Sequence, residues 1–201
     1  MVNTEEKILK GNTKELGKNL ENTNIKASQV DLLVMPILPD LTNKYILDAC
    51  CGGRMMWFNK KHPKTLYNDN RVREKGHSQF RPNHTVKPDC IYDFRDMPFE
   101  DNTFKLVVFD PPHIFGKENS LINQYYGCLD KNNWKQDIKQ GFKECFRVLD
   151  IYGTLIFKWN EARINKKEIL DLIDIKPLFG HQVGSRLKTH WMTFMKFPDE
   201  N

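Results

Sequence analysis

The chain has 201 residues, the size of one domain, and its 39% apolar content, with thirteen Phe and four Trp, is enough to fill a core beneath a twisted sheet. No stretch approaches the ~20 apolar residues of a membrane helix, the Lys/Glu/Asn-rich start lacks the apolar centre of a secretory signal, and the five cysteines without CxxC spacing read as reduced thiols, so a cytoplasmic protein with no membrane contact is expected. The net charge of +5 fits an anionic partner without demanding one.

Residues 1–24, rich in Asn, Lys, Glu and Thr, read as a polar extension with little to bury, and residues 25–201 as a single domain. Ser28 is a candidate N-cap for a short helix carrying Leu32, Leu33 and Val34, ended by Pro36 or Pro39. Tyr45-Ile46-Leu47 reads as a first strand that empties into Asp48-Ala49-Cys50-Cys51-Gly52-Gly53, with a helix expected from Arg54 to Lys60. Thr65 to Asp69 reads as a second strand. Residues 71–89 lack helical periodicity where a crossover helix is usual, and form a candidate lid or substrate loop. Within and after that segment His77, His84 and Cys90 match no common zinc spacing, so no metal is expected.

Further along, Leu106-Val107-Val108-Phe109 reads as a buried parallel strand. Trp134, Ile138, Phe142, Cys145, Phe146 and Leu149 recur at intervals of three and four, which predicts an amphipathic helix. A strand over Thr154 to Trp159, a polar helix near 166–173 and a last strand over Trp191 to Phe197 follow. The alternation predicts an α/β fold, a mainly parallel doubly wound sheet with helices on both faces. Such sheets bind ligands outside the carboxyl ends of their strands, where the strand order reverses.

Asp110-Pro111-Pro112-His113 lies at one such end. Consecutive prolines fix φ near −65° and remove two backbone donors, which sets the directions of the Asp110 carboxylate and the Pro111 carbonyl. Two acceptors on a stiff loop suit a donor amine. The tetrapeptide resembles the (Asp/Asn/Ser)-Pro-Pro-(aromatic) motif of class I S-adenosylmethionine-dependent methyltransferases that modify exocyclic amines of nucleobases. Two further stretches are similar to that family's pattern. Asp48 to Gly53 resembles its cofactor loop, with Cys50 in place of a glycine, and Asp93-Phe94-Arg95-Asp96-Met97-Pro98-Phe99 resembles its acid-rich run before the fourth strand. The matching stretches span about residues 45 to 113, each weak alone and specific in combination.

The resemblance implies a Rossmann-like methyltransferase fold with a seven-stranded sheet and S-adenosyl-L-methionine as cofactor. It implies cofactor binding by Asp48, Ala49, Cys50 and Gly52, with Asp69 at the ribose or in competition with Arg71, and Asp93 and Phe94 at the adenine. It also implies catalysis at Asp110, Pro111, Pro112 and His113. His113 replaces the usual Tyr, Phe or Trp, and an imidazole with an ordinary pKa near 6.5 would make stacking pH-sensitive. Candidate substrate contacts are Phe115, with Tyr125 or Tyr126 as alternative clamps, and Lys158 and Trp159 on the same carboxyl edge as Asp110. Trp159 either stacks a base or packs. Lys188 and His190, beside Arg186 in a Gly-punctuated basic loop, either touch phosphates or solvate a turn.

The expected partner is therefore nucleic acid, DNA or RNA. With no separate target-recognition block in the sequence, loose specificity, a helper subunit or a homodimer is expected. Two other readings stand beside it: a methyltransferase of the same fold acting on a small molecule or a protein amide, and a cofactor-binding module without catalysis.

Overall fold

The computed structural model describes residues 38–79, 81–116, 121–183 and 188–198. The polar extension, the helix expected from Ser28, and Arg186 lie outside the described residues. Six strands form one sheet: β1 (Ile46–Asp48), β2 (Thr65–Tyr67), β3 (Phe104–Phe109), β4 (Leu149–Asn160), β5 (Phe179–Val183) and β6 (Thr189–Met195), in the order β2-β1-β3-β4-β6-β5. The β1/β2, β1/β3 and β3/β4 pairs are parallel, whereas β6 runs antiparallel to both β4 and β5. Three helices accompany it among the described residues: α1 (Leu121–Tyr126), α2 (Trp134–Val148) and α3 (Lys166–Leu170).

The long elements follow from the sequence pattern. β3 buries Phe104, Val107, Val108 and Phe109, and β4 buries Gly153, Leu155, Phe157 and Trp159 at alternate positions. The α2 helix turns Trp134, Ile138, Phe142, Cys145 and Val148 inward. Short α3 is held by a capping box, in which Asn165 Oδ1 accepts from Lys167 N at 2.8 Å and Asn165 N donates to Glu168 Oε1 at 3.3 Å.

Three expectations are corrected. The sheet has six described strands, not seven, because the strand expected beyond β2 is reduced to a single parallel bridge between Asn68 and Cys90. No helix forms over residues 54–60, where the chain makes successive turns. Arg54 has φ +53°, outside the helical region, and its guanidinium donates to the Lys60 and Lys87 carbonyls, which pins the segment as turns. The loop expected before the last strand contains β5 instead. Every β5 residue is exposed, so no alternation marks it in the sequence.

The core is aromatic around α2. Phe142 packs at 4.7 Å on Phe157, 5.5 Å on Phe109 and 5.6 Å on Phe194, ring centroid to centroid. Gly141 permits this approach, since a Cβ there would stand 2.7 Å from both Phe109 and Phe94. The acid-rich run is tied to the same helix. Arg147 donates to the Met97 and Phe99 carbonyls at 2.8 and 2.6 Å and pairs with Glu144, whose Oε1 accepts from Met97 N at 2.8 Å. Burial alone would raise the Glu144 pKa, and Arg147 outweighs it and holds it low. Arg147→Met should cost about 2 to 3 kcal/mol, because it strands a nearly buried carboxylate and two carbonyls. Urea denaturation should show the loss as a lower midpoint; an unchanged midpoint would mean that solvent replaces the clamp.

Candidate functional site

The strand order reverses between β1 and β3, and both motif loops leave the sheet there. Ala49 N donates to Val108 O at 2.9 Å, and Cys51 N to Asn68 O at 2.8 Å. Buried Asn68 joins the stretches: its Nδ2 donates to Ala49 O and Tyr92 O, and its Oδ1 accepts from Tyr92 N at 2.9 Å. No local motif marks Asn68, because its partners are distant in sequence. Gly53 lets His84 approach, since a Cβ there would lie 2.5 Å from the imidazole Nε2.

Two cavities meet at this point, sharing Cys50, Arg71 and Pro112 in their walls. The first is walled by Gly52, Asp110, Pro111, His113, Tyr125 and Lys158. Lys158 Nζ donates to Asp110 Oδ2 at 2.6 Å, while Asp110 Oδ1 is buried without a hydrogen-bond partner. Arg71 Nη1 and His113 Nδ1 are also buried and unpartnered. Buried polar atoms are rarely left so, and these three belong to the walls of one cavity. Burial pushes the His113 pKa below its ordinary value, outweighing the Asp110 charge, so the imidazole is neutral at pH 7.

The second cavity is walled by Ala49, Cys50, Asp69, Phe94, Arg95 and Asp137, among others. Two Asp-x-Arg units build it. Asp69 Oδ1 accepts from Arg71 N and Nε, and Oδ2 from Gly52 N and Arg71 Nη2, which fills the carboxylate's acceptor positions. In this arrangement Asp69 supports Arg71 and the Gly52 amide. Asp93 likewise accepts from Arg95 N, Nε and Nη2, and Arg95 Nη1 donates to Asp137 at 2.7 Å. Burial alone would raise the Asp93 pKa, but Arg95 holds it low. Asp93 thus positions Arg95, and it is Phe94 and Arg95 that form the wall.

Asp48 lies under the loop, fully buried, and accepts from the Trp57 indole at 2.7 Å and from Cys50 N at 3.3 Å. Burial raises its pKa to about 7, with the Asp110 and Asp69 charges adding to the rise and the Trp57 hydrogen bond opposing it. The folded protein therefore keeps this proton up to about pH 7, whereas an unfolded chain releases it near pH 4. The native state binds the extra proton between those values, so Asp48 favours folding at low pH and that contribution is lost as pH rises through the window. Relative to the parent, Asp48→Asn should gain about 2 to 4 kcal/mol of stability between pH 4 and pH 8. Urea curves for the two proteins that stay parallel across that range would contradict it.

The remaining candidates fall elsewhere. Phe115 packs edge-on to Trp134 with centroids 6.3 Å apart and bridges to Leu129, as part of the core margin. Trp159 is fully buried, stacks on Phe157 at 5.8 Å, donates to Ile164 O at 3.0 Å and meets the edge of His113 at 5.9 Å. It therefore packs, the second of its two sequence readings. Buried His190 lies 3.0 Å from Glu161 Oε1, in ion-pair range but not aligned as a hydrogen bond. Lys188 is exposed, with φ +48°, and its carbonyl accepts from Glu161 N at 3.0 Å. Neither Lys188 nor His190 walls the two cavities. His84 and Tyr125 do line the first cavity, the latter one of the three loop aromatics, and Arg71 lines both.

No protein-family model matches the chain, and no curated protein matches it in sequence. Among solved structures, the PH0226 protein of Pyrococcus horikoshii is similar with a TM-score of 0.50 at 15% identity, over 87% of this chain and 92% of that one. A TehB-like SAM-dependent methyltransferase of Corynebacterium glutamicum gives a TM-score of 0.48 at 12% identity, over 92% and 97%. A SAM-dependent methyltransferase of Leishmania major gives 0.45 at 16%, over 80% and 67%. At such identities the likeness concerns the fold alone, and the chain has a Rossmann-like α/β fold with a mostly parallel sheet.

Proposed function

We propose that this chain is an S-adenosylmethionine-dependent methyltransferase acting on the exocyclic amine of a nucleobase in DNA or RNA. The observation that carries this reading is Asp110. One of its oxygens is fixed by Lys158, and the other is buried, unpartnered and part of a cavity wall that continues to the glycine loop. An acceptor held that way on a Pro-Pro loop is preorganised for a donor.

The cofactor, when bound, supplies an electrophilic methyl group on a sulfonium. Ala49, Cys50, Arg71, Phe94 and Arg95 would hold it, in a cavity whose wall offers both an aromatic face and an unpartnered guanidinium nitrogen. Asp110 Oδ1 accepts one hydrogen of the amine, and the Pro111 carbonyl accepts the other. Together they pull the nitrogen from planarity and aim its lone pair. Neutral His113, packed in a T-shaped contact with Trp159, offers its ring to the base. Lys158 keeps the carboxylate oriented.

Incubation with methyl-labelled cofactor and single-stranded DNA, RNA or a metabolite extract, followed by nucleoside mass analysis, tests the reading. The expected product is a nucleoside labelled on its exocyclic amine. Label confined to metabolites or protein amides would overturn the nucleobase assignment.

A further inference from the structure

A larger cavity, of about 480 Å³, adjoins the Asp110 cleft and shares Gly52, Gly53, Met55, His84 and Tyr125 with it. Its wall carries Arg54, Lys60, Lys61, Arg81 and Lys87, and no Asp or Glu. Arg54 pairs with Asp89 and Lys87 with Glu74. By contrast, the exposed Lys60 ammonium forms no ion pair among the described residues and meets the Met55 sulfur at 4.0 Å, and Lys61 is exposed. Next to these lysines in the chain, Phe58 stands wholly in solvent and Met55 is 62% exposed. Phe58 thus offers an uncovered aromatic face close in the chain to two exposed ammonium groups.

At the mouth toward Asp110 the Arg81 guanidinium lies 4.8 Å over the Tyr125 ring and donates to its hydroxyl at 2.6 Å. The His84 ring is 4.1 Å from the same tyrosine. Basic groups interleaved with aromatic faces are how proteins hold single-stranded nucleic acid, with cations on phosphates and rings under bases.

We propose that this groove carries the phosphodiester backbone of a single strand beside the target base, with Lys60 and Lys61 on phosphates and Phe58 under a neighbouring base. This rests on the nucleobase reading above and specifies its substrate as unpaired. A base in a duplex would first have to be extruded to reach Asp110, at a cost of a few kcal/mol that an unpaired base avoids.

The test is fluorescence anisotropy with the full chain and a labelled strand of roughly 12 nucleotides, as DNA, as RNA and as duplex, between about 50 and 200 mM salt. Free mononucleotide is the competitor. The wild type is compared with Lys60→Gln/Lys61→Gln, with Phe58→Ala, and with Lys167→Gln/Lys176→Gln, which removes the same charge outside the groove. The slope of log affinity against log salt should flatten by about 1.4 in the first pair, roughly 0.7 for each phosphate that is no longer neutralised. Phe58→Ala should weaken binding by about five- to hundredfold at an unchanged slope, and the Lys167/Lys176 pair should behave as wild type. Equal slopes in the two lysine pairs, no strand binding, tighter duplex binding, or full competition by equimolar mononucleotide would each overturn the groove. Labelled nucleic acid together with equal slopes would overturn the groove alone, whereas the expected slopes with no labelled nucleoside would overturn the catalytic reading alone.

Discussion

Replacing Asp110 with Ala is expected to lower methyl transfer on the order of 10²- to 10⁴-fold, the span that a positioned acceptor in a dry site contributes. The substitution removes both oxygens, Oδ1, which has no partner in the fold, and Oδ2, whose partner is the Lys158 ammonium. What remains is a Lys158 ammonium, 26% exposed at its side chain and able to turn to water. Cofactor affinity should therefore stay within a factor of a few, and the loss should fall on kcat. Asp110→Asn keeps one acceptor oxygen, but its NH2 group then faces either Lys158 or the amine, and it should recover only part of the rate. Single-turnover transfer into the identified nucleoside measures all three. Transfer surviving at more than a tenth of the wild-type rate in the Ala variant would remove Asp110 from the chemistry.

Trp159→Ala should be the most costly of the substitutions near the site for stability, at about 3 to 5 kcal/mol. The indole is fully buried between Phe157 and the His113 edge, and its N–H satisfies Ile164 O. For a chain of this size that corresponds to a fall in Tm of roughly 6 to 20 °C. Trp159→Phe retains the ring contacts and leaves one carbonyl unpaired, so its cost should be about 1 to 2 kcal/mol. Calorimetric unfolding of the two variants separates packing from ligand contact. An Ala variant that melts with the wild type but loses oligonucleotide binding would make Trp159 a base-stacking residue after all.

The sequence made the strand ends legible, because an apolar run bounded by Asp-Pro-Pro or by Asp followed by glycines has few other readings. Leu106 to Phe109 and Trp134 to Leu149 belong to elements close to those expected, since burial on one face writes a period into the chain. Where burial is absent the period is absent too, and β5, exposed throughout, was invisible. The turns at residues 54–60 depend on Arg54 reaching Lys87 O and Asp89, contacts between residues far apart in sequence.

The same limit applied to the site. Asp110, Cys50 and Phe94 stand out in local motifs, whereas the pairing of Asp69 with Arg71 depends on how four donors fill one carboxylate. Lys158 was legible only as a residue on the correct edge, and its bond to Asp110 needed β3 and β4 side by side, with Phe109 opposite Phe157. The pKa of His113 depended on burial that no motif reports.

On the proposed function S-adenosylmethionine binds where the two cavities meet, and calorimetric titration detects that binding. Cys50 belongs to the walls of both, so Cys50→Trp fills the junction from a loop whose backbone bonds do not involve that side chain. The expected result is one saturable site per chain in the wild type, displaced by S-adenosylhomocysteine, and no heat of binding in a Cys50→Trp protein that still unfolds in one cooperative transition. Saturable binding that persists in the plugged protein would place the cofactor elsewhere, and a wild type that takes up none would contradict the assignment.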